Sequence, residues 1–239
     1  MNILFFSILG ACFGSFIPCF HERRCKHLSH FTRSQCTYCH HSIQNRFLIP
    51  IFGYFFTKGQ CSYCHTPIPI YFPIFEGIGA ISGFFFSYYS PSFIHSLLQL
   101  LIISFFLLIS LDDKNEHLIY DQDLIILTII ELIDLIFYTP SPWFDHFIGA
   151  LIVSIPLLIL YRICPYSLGS GDILFMMITG FYLGYLYISY AFLIGIVVAL
   201  LFSVRMLVKN KASLKTAIPL IPFLSFGVYI TMLIAIAIN

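Results

Sequence analysis

The chain has 239 residues, of which 59% are hydrophobic, 18% aromatic and only 10% charged, with a formal net charge of +1. A soluble domain usually carries about 25% charged residues. The polar residues are too few to cover a globular protein in water, so the composition excludes a soluble domain and predicts a polytopic membrane protein. We expect the lipid bilayer as a partner and no nucleic acid.

Eight apolar runs are long enough to cross a bilayer, which takes roughly 17–25 helical residues. They can be drawn at 2–20, 72–89, 94–111, 122–138, 144–162, 172–187, 188–208 and 217–238. The runs are continuous rather than alternating, which favours helices over strands. Only a weak polar signal near Gly184 to Ser189 separates the sixth run from the seventh, so seven spans is the alternative. The sequence predicts an all-α membrane protein with about eight transmembrane helices.

The basic residues predict how these helices are oriented, because cytosolic loops carry an excess of Lys and Arg. With eight spans, all twelve basic residues fall in or beside the loops on one side of the membrane. They are Arg23, Arg24, Lys26, Arg33, Arg46, Lys58, Lys114, Arg162, Arg205, Lys209, Lys211 and Lys215. We therefore expect the N-terminus outside and residues 21–71 in the cytosol.

Residues 21–71 form the one sizeable segment between the predicted spans. The segment is polar, basic and rich in His and Cys, and it contains an internal repeat, QCTYCHHSI from Gln35 and QCSYCHTPI from Gln60. A piece of about 50 residues is too small for a large core and usually needs a metal or disulfides. We divide the chain into a first transmembrane helix (1–20), a cytosolic cysteine-rich loop (21–71) and a transmembrane core (72–239).

Four cysteines in this loop have the spacing of a metal site. Cys36, Cys39, Cys61 and Cys64 form two C-x2-C pairs, and four thiolates suit tetrahedral Zn²⁺. Thiols stay reduced in the cytosol, which makes disulfides the weaker interpretation. A redox pair and a loop without any ligand remain as alternatives. Four protein ligands leave no open position on the metal, so we expect the zinc to be structural.

Acidic residues crowd the membrane edge at two places. The third predicted span ends in a cluster made of Asp112, Asp113, Glu116, Asp121 and Asp123. Because helix C-termini favour cations, this cluster works against the local electrostatics. Asp172, after two glycines, begins the sixth span on the same cytosolic side. A solvated loop and a simple helix cap are the structural alternatives for these residues.

Two carboxylates that meet across a helix bundle are what an aspartic protease needs. One, ionised, takes a proton from water, while the other, protonated, hydrogen-bonds the scissile carbonyl and protonates the leaving amine. Two close carboxylates cannot both ionise easily and titrate as a pair. Helix polarity alone predicts that Asp172, at a helix N-terminus, holds the charge and that Asp113, near a helix C-terminus, is protonated at rest.

Two further acids, Glu131 and Asp134, lie inside the fourth span with i, i+3 spacing. Acids at that depth are costly and are candidates for a function, although neutral, hydrogen-bonded carboxyls are the alternative. An alternative function follows, in which the chain is a zinc-stabilised membrane transporter or scaffold without protease activity. In that protein this pair would serve an ion path and Asp172 would only cap a helix.

The motifs, in their order and spacing, resemble those of the type IV prepilin peptidases, GxGD-type aspartic proteases of bacterial inner membranes. They run through most of the chain: GSF at 14–16, RSQC at 33–36 with the paired CxxC, IP at 49–50, KGQC at 58–61, FPIFE at 72–76 and GSGD at 169–172. The family's first catalytic aspartate is followed eight residues later by another Asp. The resemblance therefore implies Asp113, with Asp121 as the follower, and Asp172 as the catalytic pair.

The resemblance also implies an activity, a place and partners. Members remove the short basic leader of type IV pilin-like precursors at the cytosolic face of the plasma (inner) membrane. Many also methylate the new N-terminus with S-adenosylmethionine, an activity assigned to the cysteine-rich loop. The small compact chain looks similar to the competence-pilus branch. A GxGD protease that cuts within its substrate's span is a further alternative, against which the large cysteine loop argues.

Overall fold

The computed structural model describes residues 3–26, 34–36, 38–90, 92–138, 142–163, 168–209 and 218–238. Its α-helices are α1 (Ile3–Cys25), α2 (Phe52–Phe56), α3 (Tyr71–Tyr89), α4 (Phe93–Glu116), α5 (Asp121–Tyr138), α6 (Trp143–Ile163), α7 (Ser170–Val208) and α8 (Ile221–Ile238). Within these ranges there are two isolated β-bridges and no strand, which confirms the all-α class. Arg33, Lys211 and Lys215, used for the predicted orientation, lie outside the described residues.

Five of these helices, α1, α4, α6, α7 and α8, are long and apolar enough to cross a membrane. The predicted runs 72–89 and 122–138 are also helices, α3 and α5, but their composition is less apolar. Glycines, tyrosines and Glu76 lower the mean hydropathy of α3. Helix α5 has four carboxylates among its 18 residues. The protein is thus a helical membrane protein with five candidate spans among the described residues, and the predicted number of eight is not confirmed.

Helix α7 is interrupted where the sequence shows its weak polar signal. The helix has 39 residues, but Gly184 has φ 78° and ψ 170°, which is not helical. A straight helix of this length would be roughly 58 Å long, almost twice the ~30 Å of a bilayer's hydrocarbon core. Only glycine adopts this backbone conformation without strain. The interruption therefore divides α7 close to the predicted boundary between the sixth and seventh runs.

The chain divides into two compact units, residues 1–108 and 109–239. In the first unit α1 packs on α3, and a Cβ at Gly10 would collide with the carbonyl oxygen of Gly79. In the second unit α7 packs on α6 and α8, with Gly149 directly against Gly180. Small residues at these crossings let helix backbones approach closely, as is common in membranes. The cysteine loop belongs to the first unit, and both predicted catalytic aspartates belong to the second.

Candidate active site and cysteine cluster

Asp113 lies in the last turn of α4, and its side chain is only 8% exposed. Its Oδ2 accepts a hydrogen bond of 3.0 Å from the backbone N–H of Ile221, the first residue of α8. The neighbouring N–H of Leu220 acts on the same carboxylate. The carboxylate therefore lies at the N-terminus of a second helix, where unpaired N–H groups and the helix dipole favour negative charge.

Asp172 is the third residue of α7 and is 7% exposed. Its Oδ2 accepts a hydrogen bond of 3.0 Å from the backbone N–H of Gly169, the N-cap residue, in the manner of a capping box. This contact confirms that Asp172 contributes to the start of the helix. Its Oδ1 makes no hydrogen bond with the part of the chain that the structure describes, so one oxygen remains for other chemistry.

The second unit brings the two predicted catalytic carboxylates together. Asp113 and Asp172 lie close enough to interact electrostatically. The segment between α4 and α5 packs directly on the start of α7, since a Cβ on Gly171 would lie 2.5 Å from Cδ1 of Ile119. Because Gly171 has no side chain, the segment between α4 and α5 can approach Asp172, the residue after Gly171.

The other acids of the cluster are placed differently. Asp112 is 1% exposed and faces away from the solvent beside Asp113. Glu116 accepts a hydrogen bond of 2.8 Å from the hydroxyl of Tyr120. Asp121, the first residue of α5, is exposed. Among the described acids of this cluster, Asp113 is the one that interacts electrostatically with Asp172.

The intramembrane acids Glu131 and Asp134 both face the interior of the second unit. Asp134 is fully buried, and its Oδ2 accepts a hydrogen bond of 2.7 Å from the hydroxyl of Tyr182 on α7. Glu131 is 2% exposed, and neither of its carboxylate oxygens has a hydrogen-bond partner among the described residues. Leaving a buried polar group without a partner is costly. The two residues form an acidic site separate in sequence from the Asp113–Asp172 pair.

The four predicted metal ligands converge in the first unit. All four sulfur atoms lie within 4.8 Å of one another, with 3.7 Å between Cys36 Sγ and Cys64 Sγ and 3.9 Å between Cys39 Sγ and Cys61 Sγ. Zinc–sulfur bonds of about 2.3 Å place tetrahedral thiolates about 3.8 Å apart. The cluster can therefore hold a metal ion, and its spacing fits a four-thiolate zinc site.

The internal repeat produces two turns of the same geometry. The N–H of the residue after each pair's second cysteine, His40 or His65, donates a 3.0 Å hydrogen bond to the carbonyl of the first cysteine. These two histidines have φ values of 56° and 57°.

In the second turn the hydroxyl of Thr66 lies 3.1 Å from Cys64 Sγ. This hydrogen bond, together with that of the Thr66 backbone N–H and those of neighbouring cysteines, lowers the pKa of the Cys64 thiol to about 6. In the same cluster the backbone N–H of His41 lowers the pKa of the Cys39 thiol, but burial and the neighbouring sulfur atoms raise it to about 11. The thiolate that a metal requires is therefore favoured at Cys64.

A cavity of about 240 Å³ lies beside the cysteine turns in the first unit. Its wall contains charges of both signs, from Glu22, Arg23 and Lys26 at the end of α1 and from Glu76 on α3. Cys36 and other residues of the cysteine loop complete the wall. A small ligand with both positive and negative groups would find complementary partners there.

Glu76 holds a strained turn at the edge of this cavity. Its Oε1 accepts a hydrogen bond of 2.6 Å from the hydroxyl of Ser15, and its Oε2 accepts one of 2.6 Å from the backbone N–H of Ile51. Ile51 has φ 66° and ψ −56°, and the N–H of Phe52 donates to the carbonyl of Pro50 across it. This is a γ-turn of the rare, strained kind. Ser15 of GSF, Glu76 of FPIFE and Ile51, the residue directly after IP, are distant in sequence but meet at one carboxylate.

Two contacts of the site were not predicted from the sequence. The α8 amide that binds Asp113 belongs to Ile221, an apolar residue within an apolar run. A backbone N–H is common to almost every residue, so nothing in the sequence singles it out. Glu76 stands alone among apolar residues at the start of α3, and that isolation was a usable signal. Its hydrogen-bond partners, Ser15 and Ile51, could be identified only from the tertiary structure.

Two models of known protein families together match most of the chain. The family model described as the bacterial Peptidase A24 N-terminal domain matches residues 8–90, and that of the type IV leader peptidase family matches residues 100–204. Neither the curated proteins nor the solved structures contain a match. The four cysteines lie within the first region and both aspartates within the second. As its motifs predict, the chain belongs to the type IV leader peptidase family, and its peptidase is built into a helical membrane protein.

Proposed function

We propose that this leader peptidase is an aspartic protease in which Asp113 and Asp172 form the catalytic pair. The observation that carries the proposal is that two carboxylates from different helices, each more than nine-tenths buried, interact with each other. The ionised carboxylate takes a proton from a water molecule as that water attacks the scissile carbonyl carbon. The protonated carboxylate hydrogen-bonds the carbonyl oxygen and supplies its proton to the amine as the C–N bond breaks.

The proposed substrates are pilin-like precursors that carry a short leader, and the competence-pilus branch is the proposed context. We place the protein in the bacterial plasma (inner) membrane with eight spans, the N-terminus outside, and the cysteine loop and aspartates facing the cytosol. This orientation is supported by the positions of the basic residues. A mature pilin domain begins with an apolar helix, so cleavage at the membrane edge leaves that helix in the bilayer.

The proposed role of the loop 21–71 is structural zinc binding. The four sulfur atoms would be the ligands, and the ion would hold the two cysteine turns together. With four protein ligands the ion would have no open position for a substrate. The division into residues 1–20, 21–71 and 72–239 is the proposed functional organisation.

N-methylation is the proposed second activity. The cavity beside the cysteine turns is the proposed site for S-adenosylmethionine, which carries a positive sulfonium, an ammonium and a carboxylate. The mixed charges of Glu22, Arg23 and Lys26 along the wall suit such a ligand. The methyl group would pass to the amine that cleavage exposes.

The test is to incubate purified protein with a candidate precursor and S-adenosylmethionine, and to weigh the products. We expect a shortened product, with one added methyl group if the second activity is present. Asp113→Asn and Asp172→Asn should each abolish cleavage, and Asp112→Asn, the neighbouring buried acid, should retain it. Full processing by either of the first two variants would remove that residue from catalysis.

A further inference from the structure

The start of α8 stabilises Asp113 in a way that the polarity of its own helix does not. The carboxylate accepts the N–H of Ile221 at 3.0 Å within the buried interior. Leu220, directly before the helix, directs its N–H at the same group. The first N–H groups of a helix have no partner inside the helix and concentrate the positive end of its dipole. Hydrogen bonds donated to a carboxylate favour its ionised form.

Fewer backbone N–H groups stabilise the ionised form of Asp172. Its one hydrogen bond from a backbone amide comes from Gly169, within its own helix start. The charged group that interacts with it among the described residues is Asp113, whose negative charge disfavours a second one. Both carboxylates lie at a helix N-terminus, but two backbone amides, that of Ile221 in α8 and that of Leu220 directly before it, act on Asp113, whereas one acts on Asp172.

Besides Asp172, His117 is the charged residue among those described that acts on Asp113. His117, four residues after Asp113, interacts with it electrostatically and favours its negative charge whenever the imidazole is protonated. The next helix, α5, begins with two carboxylates, Asp121 and Asp123, and α8 contains no Asp, Glu, Lys, Arg or His. The helix start of α8 therefore contributes its N–H groups without a competing side-chain charge.

We infer that the N-terminus of α8 is a positioning element of the active site, and that the backbone N–H of Ile221 holds Asp113 as the ionised general base while Asp172 is the protonated acid. This assignment rests on the proposed aspartic mechanism and reverses the expectation from helix polarity alone. In each cycle Asp113 accepts the proton of the attacking water, and Asp172 gives its proton to the leaving amine as the C–N bond breaks. Asp113 then returns the proton to Asp172.

The donor can be removed by a substitution that a helix start tolerates. Ile221 is the first residue of α8, a position at which proline is favoured because its missing N–H has no partner inside the helix. Ile221→Pro deletes the hydrogen bond to Asp113. Ile221→Ala is the matched control, because it also shortens the buried side chain and keeps the N–H. The rate of the control falls with the lost packing, but the shape of its pH–rate profile stays that of the unmodified protein.

The readout is the pH dependence of cleavage of a candidate precursor. If Asp113 is the base, Ile221→Pro moves the acid limb of the profile upward by about one pH unit or more and leaves the alkaline limb in place. If Asp113 is instead the acid, the alkaline limb moves, and the assignment is overturned. A lower rate with both limbs unmoved would make the contact merely structural and would also overturn it.

A second measurement stands independently of cleavage and of the folding of Ile221→Pro. Infrared difference spectra of the full chain should contain the C=O band of a buried protonated carboxyl. We expect Asp172→Asn to lose a component of this band that Asp113→Asn retains, while any contribution of the buried Glu131 and Asp134 is common to both variants. The opposite pattern refutes the assignment. If the unmodified protein shows the band but cuts no precursor, the proposed function fails and the protonation result stands.

Discussion

Replacing Glu76 should destabilise the first unit strongly, because one carboxylate joins α1, α3 and the turn at Ile51. Both of its oxygens accept hydrogen bonds of 2.6 Å, from Ser15 and from Ile51. A hydrogen bond to a charged group contributes about 1.5–3 kcal/mol, so Glu76→Ala loses about 3–6 kcal/mol. Relaxation of the strained residue Ile51, about 1–3 kcal/mol, offsets part of this loss. The net expectation is about 2–4 kcal/mol, or roughly 10 °C in Tm for a chain of this size.

The assay is thermal unfolding of the purified protein in detergent, with limited proteolysis of the segment around α2 as a local readout. Three further variants separate the contributions of the Glu76 charge, the Ser15 contact and the strain at Ile51 to this loss of stability. Glu76→Gln can keep the contact with the N–H of Ile51 through its amide oxygen, and its NH2 group can donate to the Ser15 hydroxyl in place of the present bond, so it should lose less stability than Glu76→Ala. Ser15→Ala deletes one of the two donors to Glu76. Its Tm should lie between the Tm of Glu76→Ala and that of the unmodified protein. Ile51→Gly retains the N–H and accommodates the φ of 66°, so it should not lower Tm. An unchanged Tm in Glu76→Ala would refute the reasoning.

Two other expectations concern the cysteine cluster and the intramembrane acids. Thr66→Val removes the hydroxyl whose hydrogen bond contributes most to lowering the pKa of Cys64, so the thiol stays protonated to higher pH. Zinc affinity at neutral pH should fall about tenfold or more, and titration with a chelator should show release at a higher pH than in Thr57→Val, which alters a hydroxyl outside the cluster. Equal release would contradict this role. Glu131→Leu removes a buried carboxyl whose oxygens have no partner among the described residues and should raise stability by about 1–3 kcal/mol, measured as Tm, with cleavage retained. Loss of function with a raised Tm would favour the ion-path alternative.

The predictions that the structure confirms rest on patterns short enough to be read locally. The C-x2-C pairs place two sulfur atoms in each turn, and the repeated sequence folds into two turns with the same hydrogen bonds. Continuous apolar runs predicted helices because a membrane leaves no other partner for the backbone. The predicted number of spans was less secure. In α3 and α5 the polar residues that contact other helices, such as Glu76 and Asp134, also lower the hydropathy on which span prediction depends.

By itself, the sequence determined the helical membrane class, the four-cysteine cluster and the two aspartates as candidates for the catalytic pair. Each of these depends on side-chain chemistry, which spacing and composition report directly. Only the tertiary structure decided which groups surround those side chains. Ile221 acts on Asp113 through its backbone, and Glu76 holds Ile51 in a conformation that its own residue type disfavours. Such contacts depend on where distant helices begin and how closely they pack, which no local pattern of residues records.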